Sequence, residues 1–190
     1  MENLDVIYED NHIVVVVKPQ NVPSQADESG DLDMLSMVKA YVKEKYNKPG
    51  EAYIGLVHRL DRPTGGIMVF ARTSKAANRL SEQIKNGEFV KTYYCVTDGI
   101  PKESEGHLVN YLKKDDNIVK IVPMSETGAK RAETIYKVLE VEKNLALVRV
   151  NILTGRSHQI RVQMANIGAS LFGDGKYGKN ISKTKHLALW

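Results

Sequence analysis

His58-Arg59-Leu60-Asp61-Arg62-Pro63-Thr64-Gly65-Gly66 runs directly into the apolar segment Ile67-Met68-Val69-Phe70-Ala71. Five consecutive apolar residues read as a buried strand, and such a strand holds the loop before it rigidly. Gly65-Gly66 lets the backbone turn sharply or approach a ligand closely. Asp61 lies between Arg59 and Arg62. A carboxylate flanked by guanidinium groups stays ionised and can serve as a nucleophile or an electrostatic anchor. A second reading is open on these residues alone: Arg-Leu-Asp-Arg also occurs on helix surfaces, where the charges simply solvate one another.

Outward from this loop, Val6 to Lys18 predicts two short strands around the turn Glu9-Asp10-Asn11-His12, with Val14 to Val17 fully buried. Pro19 to Gly30 is polar and turn-rich, a loop. Asp31 to Tyr46 predicts a helix through Leu35, Val38, Tyr41 and Val42. Ser74 to Asn86 predicts a second, capped by Thr73 or Ser74 and stopped by Gly87. From Phe89 the pattern turns to strands: Phe89 to Val96, one or two within Gly106 to Val122, and a hairpin over Ala132 to Leu153 turning at Glu142-Lys143-Asn144. Ser157 to Ile167 predicts a short helix ending at Gly168. Without repeats or a linker, the pattern is that of one α+β domain over residues 1–190, with a mixed, mainly antiparallel sheet flanked by helices.

Composition narrows the class. The chain has 190 residues, 42 % apolar and 26 % charged, as in ordinary globular proteins. No apolar run is long enough for a membrane span, and the start lacks the order of a signal peptide. The single cysteine, Cys95, excludes an internal disulfide, and its apolar surroundings suit a small core residue in a reducing cytoplasm. The net charge of +4 is unevenly spread. Residues 1–57 hold five Lys/Arg against ten Asp/Glu, residues 58–91 seven against three, and residues 151–190 six against one. The two basic segments carry the glycine-rich strings, which suggests a polyanion bound across both, provided the asymmetry along the chain survives as a patch in space.

Three further strings bear on chemistry. In Leu153-Thr154-Gly155-Arg156-Ser157-His158-Gln159-Ile160-Arg161 a strand gives way to a helix. Arg156 and Ser157 then stand where backbone N–H groups favour anions. Arg161, one turn further in, can reach toward a carboxylate such as Asp61. His158 reads as a hydrogen-bonding structural histidine or a base, and no histidine has a partner at metal-ligand spacing. In Lys91-Thr92-Tyr93-Tyr94, alternation points the tyrosines to opposite faces of a strand. Either is a core residue, or a ring that stacks on a nucleobase. Gly173-Asp174-Gly175-Lys176-Tyr177-Gly178 is a turn-rich loop that matches no phosphate-binding fingerprint.

Taken together and in order, these strings resemble the RluA-type RNA pseudouridine synthases. His58-Arg59-Leu60-Asp61 through Gly66 is similar to that family's catalytic motif, and Lys91-Thr92-Tyr93 lies where it has an active-site tyrosine. Thr154 to Arg161 resembles its third motif, Gly168 to Gly178 its Gly-Asp…Tyr-Gly segment, and Ile7 to Pro23 its opening. The resemblance implies Asp61 as the catalytic aspartate, Tyr93 in contact with the target base, Arg161 paired with Asp61, and Arg59 filling the space of a flipped nucleotide. Arg62, Arg156 and His158 complete the expected RNA contacts.

The chemistry so implied is isomerisation of uridine to pseudouridine in structured rRNA or tRNA. The base must leave the stack first. The implied enzyme is a cytoplasmic monomer that needs no metal or other cofactor and engages neither DNA nor membrane. The alternative is a non-catalytic RNA-binding or RNA-folding factor with the same fold; a nucleic-acid hydrolase lacks a second carboxylate and metal ligands. Two departures are noted: no small RNA-binding domain precedes the catalytic one, and Lys185 to Trp190 resembles the start of a strand that relatives continue, so that the chain reads as short or truncated.

Overall fold

The computed structural model describes residues 4–178 and 186–190. The chain forms two compact units, residues 1–89 and 90–190. Their eight strand pairings among the described residues are all antiparallel, and three helices accompany them, which gives the expected α+β class.

In the first unit, β1 (Val6–Glu9) and β2 (Ile13–Lys18) form a hairpin. The Asp10 carboxylate closes its turn by accepting from the N–H groups of His12 at 2.7 Å and Ile13 at 2.8 Å. β2 pairs with β4 (Gly66–Ala71), which in turn pairs with the short β3 (Gly55–Leu56). Val14 lies opposite Phe70 and Val16 opposite Met68, and all four are fully buried. The neighbours Val15 and Val17 are only half-buried, and Ile67, opposite Val17, is exposed. The expected full burial of Val14 to Val17 is therefore corrected to one face in two, because only one face of this sheet meets the core.

α1 (Met34–Lys45) starts later than its apolar pattern suggested. Asp33 caps it by accepting from the Ser36 N–H, which leaves Leu32 outside the helix and exposed. Glu9 ties α1 to β1, accepting from the hydroxyls of Tyr41 at 2.8 Å and Tyr46 at 2.7 Å and pairing with Lys45. α2 (Ser74–Lys85) is capped by Thr73 and followed by Gly87 at φ +75°, both as expected.

In the second unit, β5 (Lys91–Asp98), β6 (Glu105–Asp115), β7 (Ile118–Val122), β8 (Lys130–Glu142), β9 (Leu145–Ile152) and β10 (Ser170–Leu171) form one sheet in the order β10-β5-β9-β8-β6-β7. The β8–β9 hairpin turns at Lys143, as predicted. Its core gathers Cys95, Val148, Val150, Ile160 and Met164, so the lone cysteine is a core residue whose thiol pKa burial pushes up to about 12. The final residues run against β5: Tyr94 and Trp190 exchange backbone hydrogen bonds at 2.8 and 2.9 Å. The expected strand at the chain end is reduced to a single bridge, Leu189 opposite Cys95, with backbone bonds to β5 from Ala188 and Trp190, while Lys185 lies outside the described residues.

α3 spans Gln159–Asn166, two residues later than expected. His158, at φ 51°, occupies the left-handed region just before it, and Ser157 does not cap it. Gln159 organises this turn instead. Its Oε1 accepts from Thr154 Oγ1 at 2.7 Å and from the Arg156 N–H at 3.0 Å, and its Nε2 donates to the Glu133 carbonyl at 2.9 Å. Every residue from Gln159 to Met164 is buried, so α3 has no solvent face until its last turn.

Candidate active site

Asp61 belongs to a four-residue turn closed by the Thr64 N–H, which donates to the Asp61 carbonyl at 2.9 Å. The turn is held from beneath by Lys18. Alternation along β2 places Lys18 on the same face as Val14 and Val16, and it is fully buried. Its Nζ donates to the carbonyls of Thr64 at 2.6 Å, Pro19 at 2.9 Å and Arg62 at 3.0 Å. The Asn21 N–H adds a second bond to the Arg62 carbonyl at 2.8 Å. Ser24 Oγ holds Leu60 by both backbone groups, donating to its carbonyl at 2.7 Å and accepting from its N–H at 3.1 Å. The backbone on either side of Asp61 is therefore fixed by buried polar groups, as a positioned catalytic group requires.

Lys18 also sets the local electrostatics. Burial lowers its pKa to about 8, against the opposing pull of the Asp61 charge, and Arg62 lowers it further. Asp61 itself is half-buried. His58, at the head of the string, accepts the Val69 N–H on Nε2 at 3.1 Å, so Nε2 is its unprotonated nitrogen, and its ring tilts against Phe89.

The flanking arginines differ from one another. Arg59 is exposed. Arg62 is exposed too, but it is engaged by the acidic loop before α1: it pairs with Asp31 and Asp27 and donates to Ser29 Oγ at 2.9 Å.

In the second unit, Tyr93 is half-buried against the core while Tyr94 faces outward, 47 % exposed. Arg161 is buried and holds Asp174 in a two-pronged ion pair, Nε–Oδ2 2.8 Å and Nη2–Oδ1 2.6 Å. Burial pushes the Asp174 carboxyl up, but the hydrogen bonds and charge of Arg161, with the N–H groups of Lys176 and Tyr177, hold it below the usual carboxylate range. The guanidinium also lies over the Tyr177 ring, 5.1 Å from its centre. Tyr177 Oη accepts the Val119 N–H at 2.8 Å and lies 2.7 Å from His158 Nδ1, so the hydroxyl proton can point at the imidazole. Arg156 is exposed and donates from Nε to the Arg131 carbonyl at 2.9 Å.

Sequence reasoning did not single out Lys18, Gln159, Asp174 or Tyr177 as functional. The signal for Lys18 is its place two and four residues after Val16 and Val14 on one face of a strand. Asp174 and Tyr177 stood in a loop that had no assigned partner.

A family model described as RNA pseudouridylate synthase matches residues 12–166, from the β1–β2 turn to the end of α3. The chain belongs to the RNA pseudouridylate synthase family. Among curated relatives, ribosomal large subunit pseudouridine synthase D of Zymomonas mobilis is 35 % identical over 189 residues, covering 98 % of this chain and 59 % of its own length. Ribosomal large subunit pseudouridine synthase C of Rickettsia bellii is 34 % identical over 177 residues, covering 92 % and 57 %. The chain thus spans less than two thirds of the length of these relatives. Human RNA pseudouridylate synthase domain containing 4 superposes with a TM-score of 0.79 at 27 % identity, over 92 % of this chain and 69 % of that one. The human domain containing 1 protein, at 24 % identity and a TM-score of 0.78, shares the fold. The Asp61 turn, Tyr93 and the Thr154–Arg161 string all fall inside the residues that match the pseudouridylate synthase model.

Proposed function

We propose that this protein isomerises uridines in structured rRNA or tRNA to pseudouridine, with Asp61 as the catalytic aspartate. The observation that carries the reading is the Lys18 cradle beneath the Asp61 turn, in a chain of this family. A buried ammonium bonded to three carbonyls of the surrounding backbone holds that backbone in one geometry and keeps positive charge near the carboxylate. Asp61 acts as an anion while uracil is detached from C1′, turned, and rejoined through C5, a change that conserves every atom. The target nucleotide is first flipped from its stack.

Tyr93 is proposed to contact the base, and Arg161, oriented by Asp174, to hold Asp61 ionised. Arg59, Arg156 and His158 are the proposed RNA contacts, with Arg62 reaching a phosphate by exchanging it for Asp27 and Asp31. Names of relatives that act on the ribosomal large subunit favour ribosomal RNA. The setting proposed is the cytoplasm, with the chain acting as a monomer. Among the described residues no helix is long and apolar enough to cross a membrane.

The test is carbodiimide mapping of pseudouridine across total RNA in cells with and without the gene, complemented by wild type or by Asp61→Ala. A primer-extension stop lost on deletion and restored only by wild type supports the proposal and names the uridine. An unchanged map, with a ribosome-assembly defect that Asp61→Ala rescues, supports an RNA-folding factor instead.

A further inference from the structure

A cavity of about 340 Å³ opens on the second unit where β6, β7 and the start of β8 meet the Gly155–Ser157 turn. Its register explains its charge. Lys114 lies opposite Val119, and Lys130 opposite Leu112, so all four share one face of the sheet. Leu112 and Val119 are buried with Ala132 and Val162, but Lys114 and Lys130 continue the same face past the end of that core and are exposed. Arg156 completes the rim, its guanidinium fixed by the bond from Nε to the Arg131 carbonyl.

No acidic side chain lines this cavity. Lys113, which also lines the cavity, pairs with Glu126, and elsewhere on the sheet Lys120 pairs with Asp115 and Arg131 with Glu133. Lys114 and Lys130 have no carboxylate partner among the described residues. Beneath the turn, Lys91 Nζ comes within 3.8 Å of where a Cβ on Gly155 would stand. Burial lowers the Lys91 pKa, and the nearby positive charge of Arg156 lowers it further, so the cations repel one another. Gly128 and Gly155 present bare backbone at the walls, which lets a ligand approach closely.

We propose that this cavity is a phosphate subsite for the RNA backbone, in which Lys114, Lys130 and Arg156 bind the non-bridging oxygens of one phosphate group. It rests on the RNA-modifying reading above. A compact tetrahedral anion suits a fixed guanidinium flanked by two mobile ammonium groups. Such contacts position a nucleic acid without reading its sequence and make its affinity depend on salt.

The test uses the full chain and a fluorescein-labelled RNA hairpin with a uridine-rich loop, read by anisotropy between about 50 and 200 mM salt. The double variant Lys114→Gln/Lys130→Gln is expected to bind at least about tenfold more weakly near 0.1 M salt and to lower the slope of log affinity against log salt by about 2, one for each lysine. Lys114→Arg/Lys130→Arg should restore both, and Lys120→Gln, already neutralised by Asp115, should change neither. Thermal unfolding of all three should match wild type. A wild type that binds no hairpin overturns both the RNA reading and the subsite. A wild type that binds, with a double Gln variant of equal affinity and slope, overturns the subsite alone. Loss of binding to a poly-glutamate peptide with RNA binding intact overturns it in favour of an acidic protein partner.

Discussion

Lys18 Nζ lies 2.6 Å from the carbonyl oxygen of Thr64, with no part of the lysine exposed, so a charged side chain serves as an internal brace for the turn that presents Asp61. Burying an ammonium is costly unless its hydrogen bonds are replaced, and here three carbonyls replace them. Lys18→Met fills the space but leaves those carbonyls without their donor. It should lower stability by about 2–4 kcal/mol in urea unfolding. Where the variant remains folded, it should also slow turnover, because the turn loses its brace.

The same lysine gives a pH signature. Its pKa is about 8 in the folded protein against an ordinary 10.5. Between those values the unfolded chain holds more protons than the folded one, so stability rises with pH through that window and the penalty is complete below about pH 8. Urea unfolding of wild type and Lys18→Met from pH 7 to 10.5 should show the wild-type advantage widening as pH climbs. An advantage that narrows would mean the three carbonyls favour the charged lysine more than burial opposes it.

Asp61→Asn keeps the shape of the side chain and removes its charge. The Lys18 and Ser24 side chains and the N–H groups of Asn21 and Thr64 bond the backbone of the turn, so the variant should still fold, with the loss of the Asp61 charge beside Lys18 costing about 1–2 kcal/mol in unfolding. Pseudouridine formation, followed by tritium release from 5-tritiated uridine RNA, should fall by at least about a hundredfold. Activity near wild type would remove Asp61 from the reaction.

The Arg161–Asp174 pair can be tested in acid. Both side chains are almost wholly buried, at 5 % and 0 % exposure. Because the folded Asp174 carboxyl sits below its ordinary value of 3.8, its contribution is present above that pH and is lost as the pH falls below it. Wild type should lose stability below about pH 4, and Asp174→Asn should show a shallower loss there. At neutral pH the variant removes the Asp174 charge from the buried ion pair and should cost about 2–4 kcal/mol. A variant as stable as wild type at pH 7 would show that the pair is dispensable.

Much of this was legible because one period governed each element. Thr73 and Gly87 bracket α2 as written, and the β8–β9 turn falls on Lys143. The run Val14-Val15-Val16-Val17 hid its period, since four valines are apolar on both faces, and with it hid the inward place of Lys18. Around α3 the apolar pattern was silent for a different reason. Gln159, Arg161 and Gln163 are polar yet buried, each satisfied by partners distant in sequence such as Glu133, Asp174 and Asn110. The positions of Asp61, Tyr93 and Arg161 were carried by motif, but Asp174 needed the fold to bring residue 174 back onto residue 161.

Gly106 offers a test of the β-sheet that is independent of any activity. It lies directly opposite Tyr136, whose ring lies across the glycine and whose hydroxyl donates to the Glu103 carbonyl at 3.3 Å. A Cβ on Gly106 would stand 2.6 Å from Tyr136 Cε1 and 2.9 Å from Cζ. The ring cannot simply turn away, because Tyr136 is buried in the core with Val148 and Val150. Gly106→Ala should therefore cost about 1–3 kcal/mol through overpacking. Combining it with Tyr136→Leu should remove that clash, so the double variant should lose less than the sum of the two single losses in urea unfolding. Additive losses would mean the strand accommodates a side chain at Gly106 without moving the ring.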